Sequence, residues 1–232
     1  VHDGELAVLG RIHRYEDFRE SYGMAREAGF ANSNVDLMYG LPGQTVVSWR
    51  QSLETVCALG PEHISAYSLI VEEGTPFAEM VLELPGEEEE RQMAEDVKEI
   101  LAARGYARYE ISNFARPGFA CRHNIGYWDG TPYLSFGLGA SSYMEGVRWR
   151  NTRSREKYLK NVSSPECLRR DVEILTIENQ MEEFMFLGLR MTAGVRRSEF
   201  AKRFGMSMNE VYGEKIEHFV REKLLTNSGD RV

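Results

Sequence analysis

Apolar positions along the first half of the chain follow two rhythms in alternation. Trp49, Leu53, Val56 and Cys57 fall at i, i+4, i+7 and i+8, one face of a helix. Thr45 is suited to cap its start, and Gly60-Pro61 to close it. Tyr15 to Ala28 carries the same period and meets Gly29, a C-terminal signal. Leu6, Leu9 and Ile12, about one turn apart, predict that the chain opens inside a helix. Between these helices lie Val35 to Leu41 and His63 to Val71, the latter apolar on both faces as a buried parallel strand is. Helix, strand, helix, strand at this spacing predicts βα units around a parallel sheet, open or closed.

The rhythm then breaks. Residues 72–85 hold two turns, Gly74-Thr75-Pro76 and Leu84-Pro85-Gly86. Glu87 to Arg104 reads as a helix with acids in its first turn, and 106–114 (YARYEISNF) alternates as a strand. A long Gly- and aromatic-rich stretch follows, Ala115 to Gly146, with Tyr127, Trp128, Tyr133, Phe136 and Tyr143. A loop of that length is either functional or hides elements of its own. From Ser164 the composition favours helix. Gln180 to Met191 is amphipathic, and Arg197–Phe204, Met208–Tyr212 and Ile216–Lys223 read as short helices before an extended Leu224-Leu225. Three helices and a short tail resemble a winged-helix module; a purely structural cap fits the same pattern. The expected organisation is an α/β part over 1–80, a helix, strand and aromatic-rich loop extension over 81–160 and a helical domain over 161–232.

Charge and cysteine content narrow the function classes. The chain of 232 residues carries a net charge of −8, which argues against a nucleic-acid binder. The acidic run Glu87–Glu90 and the basic cluster Arg148–Lys160 read as solvated faces. No apolar run approaches the roughly 20 residues of a membrane helix. Cys57, Cys121 and Cys167 are far apart with no CxxC, so neither a zinc site nor a disulfide framework is indicated, and a cytoplasmic setting is expected. Cys57 belongs to the apolar helix face and reads as core. The first residues have neither a starting Met nor a secretory pattern, so a fragment is expected.

Three places invite chemistry. Asp36 sits in a strand whose two faces a parallel sheet would cover, and a carboxylate there needs a protein donor or a ligand. The turn after it, Gly40 to Thr45, lies at the strand's C-terminal end, where α/β folds bind ligands. Arg11 offers a planar fork for a carboxylate, although a surface arginine is the simpler reading. In Cys121 to Trp128 (CRHNIGYW), His123 stands near two aromatics; such a His can ligate haem iron, or be merely hydrogen-bonded. No GxSxG, HExxH, GxGxxG or P-loop is present, and no catalytic dyad stands out.

Taken in order, LGRIH (9–13), DLMYGLPGQT (36–45), the block 49–76, GYARYEISNFARPG (105–118), CRHNIGYW (121–128), YLSFGLGASSY (133–143) and RWRN (148–151) carry a resemblance along nearly the whole chain. The sequence resembles the oxygen-independent coproporphyrinogen III oxidase-like radical S-adenosylmethionine proteins, in their haem-chaperone (HemW-like) branch. The resemblance implies the C-terminal part of a partial (β/α) barrel followed by a small helical domain. It implies that Arg11 and Asp36 contact S-adenosylmethionine, with Ile70 a weaker carry-over. It also implies that the HNxxYW motif (His123, Asn124, Tyr127 and Trp128) meets haem, with His123 on the iron.

The departures are specific. The family's [4Fe–4S] cluster sits on a CxxxCxxC motif that this chain lacks, so its ligands are expected upstream of Val1. Ser141 stands in GASSY where many relatives carry a His. The implied function is a haem chaperone that binds haem and passes it to a recipient protein, with no nucleic acid, no transmembrane segment and at most peripheral membrane contact. The alternative is an oxidative decarboxylase of a porphyrinogen propionate in haem biosynthesis, and the plainest one is an inactive structural fragment.

Overall fold

A computed structural model describes residues 1–232, which form two compact units, Val1–Cys121 and Arg122–Val232.

The first unit contains α1 (Asp3–Val8), α2 (Tyr15–Glu27), β1 (Asn34–Tyr39), α3 (Val46–Leu59), β2 (His63–Ser68), α4 (Glu87–Ala103), β3 (Ala107–Arg108) and β4 (Asn113–Ala115). Its sheet runs β1-β2-β4-β3. β1 and β2 are parallel, with Asp36 opposite Ser65, and the βα crossover through α3 is the one the periodicity predicts. Thr45 caps α3 by accepting from the Ser48 N–H at 3.1 Å, and Gly60, at φ 69°, closes it. Trp49, Leu53, Val56 and Cys57 all point inward, onto Val35 and Leu37 of β1, Ile64 of β2 and Met93, Val97 and Leu101 of α4. Burying each large apolar side chain of this set is worth about 1.5–3 kcal/mol. The Trp49 indole N–H donates to the Met93 carbonyl at 3.0 Å, which ties α3 to α4. Burial pushes the Cys57 thiol up to about 11, as befits an inert core residue.

Two expectations for this unit change. α1 stops at Val8: Gly10 is left-handed at φ 68°, and Ile12 is fully exposed, so Leu6, Leu9 and Ile12 do not share one helical face. The strand predicted over 106–114 is a hairpin, β3 against β4, and β4 joins β2 antiparallel. The reversal is held by Glu110. Its carboxylate, only 1% exposed, accepts from the Ser112 N–H at 2.9 Å, a turn contact that apolar alternation does not show.

The second unit contains α5 (Arg122–Trp128), β5 (Ser141–Met144), β6 (Val147–Asn151), α6 (Arg155–Lys160), β7 (Arg169–Ile174), α7 (Ile177–Gly188), α8 (Arg197–Phe204) and α9 (Met208–Arg221). The long stretch 115–146 therefore hides a helix and a strand. β5, β6 and β7 form an antiparallel sheet. The basic cluster is not simply solvated: Arg148 pairs with Glu173 and Glu183, and Arg150 with Asp171. Met181, Met185, Phe200, Met208 and Ile216 form a separate core, in which the Phe200 ring meets Phe184, Phe204 and Tyr212. The two short helices predicted around 208–223 are one. Gly213 lies inside α9 at a cost of about 1 kcal/mol, which burial of Met208 and Ile216 on either side outweighs. The tail returns to Val195, which exchanges backbone hydrogen bonds of 2.9 and 3.0 Å with Val232.

Candidate functional sites

In the first unit, Arg11 and Asp36 line one cavity of about 230 Å³ together with His13, Met38 and Tyr67. Each is placed by a different local rule. The left-handed Gly10 turns the chain off α1 and projects Arg11, and strand alternation puts Asn34, Asp36 and Met38 on one face of β1. That face is open in this chain. Asp36 is exposed, so the burial cost expected of a covered sheet does not arise. Arg11 and Asp36 make no ion pair with each other.

Behind Asp36 runs a hydrogen-bonded chain that periodicity could not reveal. Asn34 Nδ2 donates to Asp36 Oδ1 at 2.6 Å. Asn34 Oδ1 faces His63 Nδ1 at 2.6 Å and also accepts from the Ser65 hydroxyl at 3.2 Å. A carbonyl oxygen can only accept, so Nδ1 carries the proton, and Nε2 accepts from the Tyr109 hydroxyl at 2.8 Å. His63 is buried, and that burial lowers its pKa against the opposing pull of Asp36 and Glu110. Tyr67 is raised, first by burial and then by the Asp36 charge beside it. Asp36 is thus an oriented acceptor beside an unpaired arginine. That donor set fits a ligand bearing a carboxylate together with a hydroxyl or an ammonium. Ile70 does not join it: it lies beyond the end of β2, is 75% exposed and is absent from the cavity wall.

In the second unit, α5 carries the HNxxYW residues. His123 is exposed and meets Tyr127, one turn on, edge to face with ring centroids 4.8 Å apart. Tyr127 in turn meets Tyr133 at 4.9 Å. Trp128 is partly buried, with the Arg190 guanidinium 4.5 Å over its ring. Its indole Nε1 is buried without a hydrogen-bond partner. Tyr127 and Trp128 line a cavity of about 360 Å³, whereas His123 and Asn124 stand outside its wall. An exposed imidazole on an aromatic ladder can serve as an axial ligand to a flat iron tetrapyrrole. No three His, Cys, Asp or Glu side chains are grouped to hold a metal ion, so the residues present do not fit a [4Fe–4S] cluster.

Residues 175–232 match the HemN C-terminal domain. Over 99% of its length the chain is 40% identical to "Heme chaperone HemW" of Bacillus subtilis (strain 168), and over 98% it is 39% identical to the protein of that name from Lactococcus lactis. This chain is similar to both proteins over nearly all of its own length. It spans 62% and 60% of the length of those two relatives. A solved structure of coproporphyrinogen III oxidase (HemN) from Escherichia coli, described as a radical SAM enzyme, superposes with a TM-score of 0.78 at 18% identity. The match covers 99% of this chain and 57% of that one. At that identity the likeness shows the fold, an α/β architecture shared along the chain. No helix is long and apolar enough to cross a membrane.

Proposed function

We propose that this chain is the haem-handling part of a radical S-adenosylmethionine haem chaperone, a protein that binds haem and passes it to a recipient protein. The observation that carries the reading is the placement of His123. It is an exposed imidazole backed by Tyr127, on a helix in a chain about 40% identical to heme chaperones over nearly its whole length. An exposed ligand suits a carrier, because the cargo must leave again.

In the same reading Arg11 receives the methionine carboxylate of S-adenosylmethionine, and Asp36, oriented by Asn34, accepts from a hydroxyl or the ammonium. A [4Fe–4S] cluster, with ligands outside this chain, supplies one-electron chemistry when bound. The residues here bind and orient the cofactor. Likeness to a porphyrinogen oxidase at 18% identity speaks for the fold and does not favour that chemistry.

A transfer experiment tests the proposal. The complete protein is loaded with haemin and mixed with a haem-free acceptor protein, and the acceptor's Soret band is followed with and without S-adenosylmethionine. Transfer of intact haem supports the chaperone reading. Conversion of coproporphyrinogen with no transfer would replace it with the oxidase.

A further inference from the structure

The cavity beside α5 is walled by residues of α5, β5, β6, α7 and α8, all within the second unit. Its volume of about 360 Å³ lies at the lower end of small-molecule pockets, which run from about 300 to 1,000 Å³. Three observations say what it would accept.

The first is an unmet donor. Trp128 Nε1 is buried and donates to nothing, although Trp128 lines the cavity. A buried N–H without an acceptor is costly, and an acceptor entering the cavity would relieve it. The second is the charge balance. Arg148 is neutralised, giving both Glu183 oxygens a hydrogen bond of 2.9 Å. Arg203 forms no ion pair. It reaches only the Tyr143 hydroxyl, at 3.3 Å, and lies over the Phe204 ring. Its guanidinium fits against Gly130, where an added Cβ would stand 2.9 Å from Nη1, so the missing side chain makes its room. The wall thus sets Arg148 and Arg203 against the one carboxylate of Glu183. The third is shape. The rings of His123, Tyr127, Tyr133 and Tyr143 follow one another with centroids 4.8, 4.9 and 6.3 Å apart, from the exposed imidazole to the cavity wall.

An unmet donor and an unpaired arginine at the inner end of an aromatic ladder call for an anion attached to a flat ligand. We infer that this cavity seats a carboxylate arm of such a ligand, with Arg203 as its ion-pair partner and the Trp128 indole N–H as a second donor. The inference rests on the haem reading above, in which the arm is a propionate of the tetrapyrrole. It assigns the anchoring to Arg203, well outside the HNxxYW motif.

Titrations of the full chain with haemin, with haemin dimethyl ester and with iron-free protoporphyrin IX, followed by absorbance, test it. Wild type is compared with Arg203→Gln, Arg203→Lys and Trp128→Phe. Arg203→Gln is expected to weaken haemin and protoporphyrin IX roughly tenfold and to leave the ester unchanged, while Arg203→Lys keeps most of the affinity. Trp128→Phe, which removes the donor and keeps an aromatic ring under Arg190, is expected to weaken the free acids severalfold and the ester less. Equal loss for acid and ester, no loss for any ligand, or no saturable porphyrin binding would overturn the inference. Its failure differs from failure of the haem reading. Protoporphyrin binding that depends on Arg203, with haemin spectra indifferent to His123→Ala, would keep the carboxylate seat and remove the iron ligand. Haemin binding that depends on His123 but not on Arg203 would do the reverse.

Discussion

Replacing Asn34 by Ala should destabilise the first unit through a residue it leaves behind. The Asn34 side chain is exposed, so its loss opens no core cavity. Its carbonyl, however, is the acceptor for Nδ1–H of His63, which is 4% exposed, and for the hydroxyl of Ser65, which is 7% exposed. A buried donor left without a partner costs about 1–3 kcal/mol. The serine hydroxyl can rotate to another acceptor, so the imidazole N–H dominates and about 2 kcal/mol is expected. That is close to a thirtyfold loss of protection, since about 1.4 kcal/mol is tenfold. Native-state hydrogen exchange of the β1 and β2 amides reads this unit alone. In the double variant Asn34→Ala/His63→Leu the stranded donor is gone, and most of the protection should return. The same buried ring predicts a pH slope. Its pKa is lowered in the folded state, so the unfolded chain binds more protons below about 6.5. Stability should therefore fall as pH drops from about 6.5 toward the lowered folded value, and the slope should vanish in His63→Leu. Unchanged protection in Asn34→Ala, or an equal loss in the double variant, would show that no stranded His63 donor sets the cost.

Two further predictions concern the same unit. Asp36→Asn in the complete protein should weaken S-adenosylmethionine binding severalfold by calorimetry, because an amide cannot stand in for the carboxylate toward an ammonium; unchanged affinity would remove Asp36 from the site. Asp96, 3% exposed, accepts from Arg50 at 2.7 and 2.8 Å and from Gln92 at 3.0 Å. Arg50→Met should lower the urea midpoint, because it strips the buried Asp96 carboxylate of its charged donor; an unchanged midpoint would contradict it.

What the sequence made legible is the part governed by local rules. The α3 face from Trp49 to Cys57, its cap at Thr45 and the parallel pair β1–β2 follow from periodicity and turn chemistry, and all are present. What it hid depends on partners distant in sequence. The hairpin at Glu110 depends on a carboxylate folded onto its own turn, and α5 lies in a stretch too rich in glycine and aromatics for a helical period to show. Gly213 suggests a break in α9 that packing overrides. At the site, Arg11, Asp36, Tyr127 and Trp128 were readable as residues, and the structure sets the first pair on one cavity and the second pair on another. Ile70 stands apart from both. The Asn34–His63–Tyr109 chain was not readable, because only the pairing of β1 with β2 brings Asn34 opposite His63. Arg203 was invisible for the same reason: 75 residues separate it from Trp128 in the chain (203 − 128), and only the fold sets both on one wall.

In the proposed function, haem is taken up through His123. Haemin titrated into this chain, beside His123→Ala and followed at the Soret band, tests it most directly. A shift that saturates near one equivalent and is lost in the variant is expected. A saturable shift identical in the variant, or no saturable shift at all, would contradict it.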